Sequence, residues 1–375
     1  MRVLARALLL LAILAAAEPL RAVPADVASL LTDVTRASGA AYALHDDRGH
    51  SMDCVRVARL PPPQPPNSSA PLFLAVYHTY DVPTATFNVH AATSSDLLAW
   101  SWSSLVAPNA DMPSVSADEG GSGAVVLLHE QWVGPNSSSP CRVSARLFPS
   151  AWAIARGEPA AAVATKPQTL SQLEGTPSIF AFDALLGEVR FGFHYNDPES
   201  GRDQAAGGVL AGLAAGDARW SSWGEVAFNA ALTAAGATGN IGGRDFARIT
   251  AAARCAAGGG GAAAPLGVQL QAGNVGAPPP APTNWSDWRV FALDRAAPLA
   301  GGFAELTIAT RGGSTAFGNP GLALLPPGPR PPAAGRGVGG LDAGILVVSY
   351  FLFGEGAAPG EAGSLLFYWL LDCVA

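Results

Sequence analysis

Residues 72–94, LFLAVYHTYDVPTATFNVHAATS, contain two runs rich in β-branched and aromatic residues, joined by a turn that includes Pro83. Runs of this length and composition are typical of neighbouring strands. A similar succession recurs along the chain, in which a short opening run is followed by two stronger apolar runs. The first of these stronger runs covers residues 72–80, 124–132, 188–196, 266–274 and 345–353, and the second covers residues 87–94, 141–148, 207–214, 288–294 and 364–371.

Each repeated unit opens at a polar residue. The openings are Asp53, Asp111, Glu174, Asp245 and Asn319. Five units of about four strands predict an all-β fold, a five-bladed β-propeller with one blade per unit. Successive openings are further apart than the ~40–50 residues of compact propeller repeats, so long loops are needed. The Pro- and Gly-rich segments 61–69, 256–265 and 326–340 supply such loops. The alternative is a β-sandwich whose strands only resemble repeats.

The fifth unit has three strands before the chain ends. A propeller has to close its ring, because an open edge strand invites aggregation. We therefore predict that the N-terminal segment 40–46, AAYALHD, supplies the outer strand of the last blade. The segment 26–36 is the one stretch with a helical pattern outside the extreme N-terminus. Residues 23–375 are predicted to form a single propeller domain.

The N-terminus has the form of a secretory signal peptide over residues 1–22. Arg2 and Arg6 precede an apolar run at 7–17, and the small residues Ala15 and Ala17 lie near a cleavage site at 17–22. The run is too short to span a bilayer, and the alternative is a disordered apolar terminus. Three N-glycosylation sequons agree with a secreted protein; they begin at Asn67, Asn136 and Asn284.

Charge and cysteine content restrict the partners and the compartment. The formal net charge is −7, which argues against a nucleic-acid partner and against a basic membrane-binding surface. The four cysteines are Cys54, Cys141, Cys255 and Cys373, and none forms a CxxC pair. Two disulfides are expected in an oxidising compartment, with three pairings open, and buried free thiols are the alternative.

The propeller fold gives the opening acids a common location. The first strands of all blades line the axis and run the same way, so Asp53, Asp111 and Glu174 are expected to meet at one end. Cleavage of a glycosidic bond needs one carboxyl group to protonate the leaving oxygen and another to activate water or attack. A third acid can raise the donor's pKa by like-charge repulsion. The alternative for Glu174 is a turn carboxylate that caps backbone N–H groups.

Three histidines are expected behind these acids, because the second strands return to the same end. His78, His129 and His194 lie at matching places in the runs AVYHTY, VLLHEQ and FGFHYN. Unit four offers Gln269 or Gln271 there, and unit five offers Tyr350. The histidines are candidates to orient the acids or bind sugar hydroxyls. The alternatives are a metal site or ordinary packing between blades.

Several of these features resemble the furanosidase-type glycoside hydrolases, meaning the arabinanase and β-xylosidase family with its invertase and levansucrase relatives. The shared features are five blades, acids at the first three inner strands, the Glu-Gly-Thr-Pro turn at 174–177 and the segment HAATSSDLLAW at 90–100. The resemblance implies that Asp53 is the general base, that Asp111 tunes and orients, and that Glu174 is the general acid. Arg244-Asp245 is partly like the family's Arg-Asp-Pro motif.

We therefore predict a secreted, monomeric glycoside hydrolase that acts on an oligosaccharide or polysaccharide, with an inverting mechanism and no cofactor. Its expected catalytic residues are Glu174, Asp111 and Asp53, and its expected substrate-binding residues are His78, His129, His194, Arg244, Asp245 and Tyr350. The alternatives are a non-catalytic carbohydrate-binding or interaction propeller, and a His-dependent metalloenzyme on the same scaffold. No nucleic acid is expected as a partner, and no membrane after signal cleavage.

Overall fold

The computed structural model describes residues 23–62, 71–134, 140–249, 266–295, 302–326 and 341–373. The signal segment 1–22, the sequon residues Asn67 and Asn136, and Cys255 lie outside the described residues. Three helices are present in the described part: α1 (Ala25–Thr32), α2 (Ala151–Ala155) and α3 (Val226–Ala234). None of the helices in these ranges is long and apolar enough to cross a membrane.

Twenty strands form five separate four-stranded antiparallel sheets. Blade I contains β2 (Asp53–Arg59), β3 (Phe73–Asp81), β4 (Thr86–Ser94) and β5 (Ser101–Ala107). Blade II contains β6 (Ala110–Ala117), β7 (Val125–Trp132), β8 (Cys141–Phe148) and β9 (Ala162–Thr165). Blade III contains β10 (Glu174–Asp183), β11 (Glu188–Asn196), β12 (Asp203–Ala211) and β13 (Arg219–Gly224).

The last two blades follow the same order. Blade IV contains β14 (Ile241–Ile249), β15 (Leu266–Asn274), β16 (Trp288–Asp294) and β17 (Ala304–Glu305). Blade V contains β18 (Phe317–Leu325), β19 (Leu341–Leu352), β20 (Gly363–Cys373) and β1 (Gly39–Ala41). Each first strand contacts the first strands of both neighbouring blades, which closes a ring around a central axis. The predicted five-bladed propeller is confirmed, and the sandwich alternative is excluded.

The N-terminal segment closes the ring as predicted. β1 pairs antiparallel with β20, with Gly39 opposite Tyr368. A Cβ on Gly39 would lie 2.6 Å from the Tyr368 ring, so only glycine fits this close approach. Helix α1 packs beside this seam, where the Tyr350 hydroxyl donates to the Leu31 carbonyl oxygen at 2.9 Å. The helix predicted at 26–36 is thus confirmed over its first two turns, and a short 3₁₀ turn (Val34–Arg36) continues it.

Burial between blades explains the continuous apolar runs of the sequence. A blade is covered on both faces by its neighbours, so its second strand needs apolar residues at successive positions. All nine residues of β15 are buried, and β3 is buried from Phe73 to Thr79. The largest core cluster joins blades IV and V to α1. This packing holds the five first strands in fixed positions around the axis.

Every first strand carries a β-bulge near its beginning. Three residue steps on the first strand match two on the second, between Asp53 and Arg56 in blade I and at equivalent places in the other four. In four blades the residue that begins the bulge has a positive φ; these residues are Cys54, Met112, Thr176 and Asn319. Non-glycine residues in this conformation cost about 1–3 kcal/mol each and cluster at functional sites. We call this end of the propeller the axial rim.

Candidate active site

Strand register shows which side chains share the axial rim. Directly opposed residues on the first two strands are Asp53 with His78 in blade I, Asp111 with Glu130 in blade II, and Gly175 with His194 in blade III. Glu130 is therefore the counterpart of His78 and His194. His129, which the sequence pattern aligned with them, lies one position away and points to the other face of its strand.

Two of these second-strand side chains connect adjacent blades in the same way. The backbone N–H of Met112 donates to Nδ1 of His78 at 2.9 Å, and the N–H of Thr176 donates to Oε2 of Glu130 at 2.8 Å. Both donors are bulge residues with positive φ. The bulge turns an N–H away from its own sheet, and the preceding blade supplies the acceptor. His78 and Glu130 thus help to fix the rim geometry.

Asp111 and Glu130 form a buried carboxylate pair. Their exposed fractions are 6% and 7%, and Oδ1 of Asp111 has no hydrogen-bond partner in the described structure. Burial raises the pKa of Asp111 well above its usual value, and the Glu130 charge raises it further. Burial also raises the pKa of Glu130, while hydrogen bonds from Thr176 and Cys141 oppose that shift. Asp111, whose Oδ1 has no such donor, is consequently the member that retains a proton most readily.

Asp53 lies beside this pair on the neighbouring blade. Its carboxylate accepts hydrogen bonds from the Ser51 hydroxyl at 3.0 Å and from the Ser364 hydroxyl at 3.3 Å. Burial raises the pKa of Asp53, and these two hydrogen bonds oppose the shift. Burial raises the pKa of the Cys54 thiol, and the negative charges of Asp53 and Asp111 raise it further.

The Cys54 and Met112 side chains connect the two blades directly. The Cys54 sulfur lies 3.4 Å from the Met112 sulfur. Since Cys54 follows Asp53 and Met112 follows Asp111, the structure brings two of the three predicted acids together. Cys54 and Cys141 are both free thiols, so the described structure shows no disulfide at either residue.

Glu174 has a different environment. It is fully buried, and Oε2 forms an ion pair with Lys166, the only lysine of the chain. Its Oε1 accepts the backbone N–H groups of Thr169 at 2.7 Å, Leu170 at 2.5 Å and Ser171 at 3.2 Å. These contacts match the capping alternative that the sequence left open. The role of Glu174 as general acid stays a prediction.

The position of Glu174 in its strand explains this environment. Gly175, not Glu174, occupies the position equivalent to Asp53 and Asp111. A one-residue step reverses the face of a strand to which a side chain points. The carboxylate that approaches Gly175 belongs to Glu130, because a Cβ on Gly175 would lie 1.8 Å from its Oε2.

The three histidines are buried and distributed over three blades. Burial lowers the pKa of His78 to about 3, with a further contribution from Arg56. Burial and Arg146 lower the pKa of His129 to about 3, and Nε of Arg146 donates to its Nε2 at 3.1 Å. Burial lowers the pKa of His194 well below its usual value. Within the described ranges, no group of three His, Cys, Asp or Glu side chains is placed to hold a metal ion.

The other predicted substrate-binding residues are engaged with protein groups. Arg244 is fully buried between blades III and IV, where it donates to Glu225 at 2.5 Å and to the carbonyl oxygens of Phe193, at 3.1 Å, and Ala206. Tyr350 is buried against α1, as described above. Their use as substrate contacts stays a prediction, and the geometry supports structural roles. Asn284 is exposed, which a glycan acceptor requires.

Asp245 lies inside the axial channel, further from the rim. It forms an ion pair with Nε of Arg56 at 3.1 Å, and it accepts hydrogen bonds from Ser178 at 3.2 Å and from the Leu322 N–H at 2.9 Å. Beyond this network, the channel opens into a cavity of about 480 Å³ between the far halves of the first strands. Arg56 and Asp245 thus lie between this cavity and the carboxylates of the rim.

A second depression, of about 640 Å³, lies at the rim end between blades II and III, where Pro140, Leu173 and Asn196 line it.

Sequence reasoning missed Glu130, which adjoins the His129 that it selected. The sequence did contain a signal for Glu130, because an acid stands directly after His129 in the apolar run at 124–132. Ser364 was also missed, and no local pattern marks it, because its contact with Asp53 spans most of the chain.

No family model and no curated protein matches the sequence. Among solved structures, the chain is similar to a thermostable family-43 glycoside hydrolase, with 9% identity over 88% of this chain and 92% of that one and a TM-score of 0.47. An α-L-arabinanase from Cellvibrio cellulosa, complexed with arabinohexaose, has 10% identity, 84% and 90% coverage and a TM-score of 0.43. An N-acetylgalactosamine deacetylase from F. plautii, complexed with blood group B trisaccharide, has 10% identity, 88% and 94% coverage and a TM-score of 0.44.

The chain's own five sheets establish a five-bladed β-propeller, the fold that the resemblance to furanosidase-type hydrolases implied. The protein is thus a propeller with a buried carboxylate pair, and a third carboxylate beside it, at one end of the axis.

Proposed function

We propose that the protein is a secreted glycoside hydrolase whose site is the carboxylate group of the axial rim. The observation that carries this proposal is the Asp111–Glu130 pair, in which burial, and then the charge of the acid opposite, raise the pKa of Asp111 and favour its protonated form. Such a pair combines a protonated donor with an ionised neighbour, as acid catalysis of glycosidic cleavage requires. Asp53, on the adjacent blade, provides the separate carboxylate that activates water.

The proposed roles follow from the contacts of each acid. Glu130 keeps its charge most readily, because the Thr176 N–H and the Cys141 thiol donate to it. Asp111 has an unpartnered oxygen, so it carries the proton and donates it to the leaving glycosidic oxygen. Asp53 takes a proton from the attacking water, and the water oxygen forms the new bond to the anomeric carbon. One water is consumed, and both acids return to their starting charges after proton exchange with solvent.

We further propose that the reaction inverts the anomeric configuration. Inversion needs the donor and the base to be ~6.5–9.5 Å apart, so that a water fits between them. Asp53 and Asp111 lie on adjacent blades whose bulges meet through the Cys54–Met112 contact, and neither carboxylate is a hydrogen-bond partner of the other. NMR of the first-formed product tests this, since retention of configuration would contradict it.

The main test compares single acid variants on a panel of nitrophenyl furanosides and pyranosides and on plant and algal polysaccharides. Asp111→Asn should lower kcat by roughly 10²–10⁴-fold, because general acid catalysis contributes about that much. Glu119→Gln is the matched control, since Glu119 is an exposed acid at the far end of the axis. An Asp111→Asn protein as active as the wild type would refute the donor assignment.

A non-catalytic carbohydrate-binding propeller is the second candidate. The observation that favours it is the low exposure of Asp111 and Glu130, together with the engagement of Glu174 by Lys166. On this reading, wild type and Asp111→Asn are equally inert on the whole panel, while binding to a glycan array persists in both.

Secretion forms a separate part of the proposal. Its support is the signal-like segment 1–22 and the exposed sequon residue Asn284. Expression of the full chain in a secreting eukaryotic host should release a glycosylated protein that lacks residues 1–22. Retention of an unprocessed N-terminus inside the cell would contradict this part alone.

A further inference from the structure

Three aromatic side chains form a surface at the axial rim on blades IV and V; we call Trp285, Trp288 and Phe353 the aromatic platform. Trp285 and Trp288 lie in the connection from β15 to the start of β16, and Phe353 follows the end of β19. The two indoles are nearly parallel at 18°, with centroids 6.2 Å apart. The Phe353 ring lies 5.0 Å from Trp285 and 5.8 Å from Trp288, tilted by 33° to each.

The aromatic platform rests on glycines of the first strands. A Cβ on Gly318 would lie 2.5 Å from the Phe353 ring, and a Cβ on Gly242 would lie 2.3 Å from the Trp288 ring. Gly318 pairs with Phe351 at the strand position that Asp53 and Asp111 occupy in their own blades. Blades I and II thus present carboxylates at this level of the rim, whereas blade V presents a glycine covered by an aromatic ring.

A short series of contacts connects the platform to the blade that carries Asp53. Phe353 covers Gly318, and the next residue, Asn319, hydrogen-bonds to the Cys54 thiol in blade I. Cys54 directly follows Asp53. The path to the general base therefore crosses one blade boundary from Phe353 and two from Trp285.

The exposure of the platform is uneven. Trp288 is buried, whereas 46% of Trp285 remains exposed. A large aromatic ring that other aromatic rings hold parallel, and that keeps one side toward solvent, is suited to stack on a planar amphipathic ligand. The C–H groups on one face of a sugar ring carry partial positive charge, which the negative face of an indole attracts.

We propose that the aromatic platform binds a sugar unit of an oligosaccharide, with Trp285 stacked on its apolar face. This inference rests on the proposed function for the location of bond cleavage, and it adds that the substrate extends from the carboxylates toward blades IV and V. The bound sugar lies beyond the scissile bond. The ligand is consequently a chain of several sugars and not a simple monosaccharide glycoside.

Binding in the Asp111→Asn background separates the platform from catalysis. The probes are arabinohexaose, xylohexaose and laminarihexaose, measured by isothermal titration calorimetry on protein made without glycans, because Asn284 precedes Trp285. Trp285→Ala should raise the Kd of whichever hexasaccharide binds by at least tenfold, and Trp285→Phe should restore most of the affinity. Trp223→Ala is the matched control, because 49% of Trp223 is exposed on the outer strand of blade III; its Kd should equal that of the background.

Hydrolysis by otherwise wild-type protein supplies the second readout. Trp285→Ala should raise KM on the hexasaccharide and leave nitrophenyl monosaccharide kinetics unchanged. An unchanged Kd in Trp285→Ala, or no binding of any hexasaccharide at millimolar concentration, would overturn the inference even if hydrolysis is observed. Loss of binding in Trp285→Ala without hydrolysis by any form would support the inference and refute the proposed function.

Discussion

Replacement of Lys166 by Met tests whether the Glu174 carboxylate is a structural or a catalytic group. The Lys166 ammonium is fully buried and donates to Glu174, to the Thr169 hydroxyl at 2.9 Å and to the Pro167 carbonyl oxygen at 3.1 Å. It also lies 4.7 Å from the centre of the Phe193 ring. Met fills a similar volume without the charge, so the variant leaves Glu174 buried without its cation.

The expected loss of stability follows from that unpaired charge. Removal of one partner of a buried ion pair costs about 3–5 kcal/mol. Three backbone N–H groups still donate to Glu174, so the loss should lie near the lower limit, at about 3 kcal/mol. Glu174→Gln should also destabilise, because its amide would present N–H groups to the buried ammonium. The double variant removes both charges and should lose no more stability than either single variant, a coupling of about 2–3 kcal/mol.

Urea unfolding followed by tryptophan fluorescence measures these differences, provided that the transition is two-state. Arg190→Met is the control, since the Arg190–Glu188 pair is exposed at the surface and its loss should leave the midpoint unchanged. The reasoning is refuted if Lys166→Met unfolds at the wild-type midpoint. It is also refuted if Glu174→Gln abolishes hydrolysis at unchanged stability, because Glu174 would then be the general acid that the family resemblance implied.

The remaining predictions concern the lysine, the rim and the interior. An amine-reactive ester should label only the N-terminus of the native protein, and mass spectrometry should show one further label in urea because Lys166 is then accessible. Glu130→Gln should move the alkaline limb of the pH–rate profile to lower pH, because the Glu130 charge raises the pKa of its partner acid. Since the pKa of His129 is about 3 in the folded state and higher in the unfolded state, stability should fall as the pH drops from about 6.5 toward 3. His129→Gln should remove about 1.4 kcal/mol per pH unit of that slope in urea titrations. Gly318→Ala should destabilise by about 1–3 kcal/mol in the same titrations, because its methyl group would collide with the Phe353 ring.

The fold was predictable because the packing of blades against one another requires long apolar runs, which are visible in the sequence. A second strand covered on both faces is buried along its length and is therefore mostly apolar, and β3 shows this directly, since it is buried from Phe73 to Thr79. Each blade has a weakly apolar first strand followed by a strongly apolar second strand, so the number of such successions gives the number of blades. Ring closure was predictable on the same grounds, because a fifth blade with three strands would leave an unpaired edge. β1 satisfies that need against β20.

The candidate site was only partly predictable, because its membership depends on single-residue register. Asp53 and Asp111 occupy the same position before the bulge in adjacent blades, and their predicted catalytic roles stay predictions. Glu174 stands one residue earlier, and Gly175 occupies the position that Asp53 and Asp111 hold in their blades. The ion pair between Lys166 and Glu174 joins residues eight apart through a loop, and no local sequence pattern predicts it.

Single-residue register also limited the prediction for the second strands. The recurrence of histidines predicted His129 as the rim-facing residue of blade II, whereas the register places Glu130 there. Side chains alternate along a strand, so a shift by one residue exchanges the rim-facing set for the opposite set. The bulges fix that phase, because each inserts one residue, and in blades II and III the bulge turns an N–H toward the preceding blade. The acceptor of that N–H is His78 in one blade and Glu130 in the next, two residue types that a chemical pattern would not align. The two blades therefore place a hydrogen-bond acceptor at the same position but use different residue types for it. In blade II the acceptor is a glutamate, and it is for this reason that a second acid lies beside Asp111.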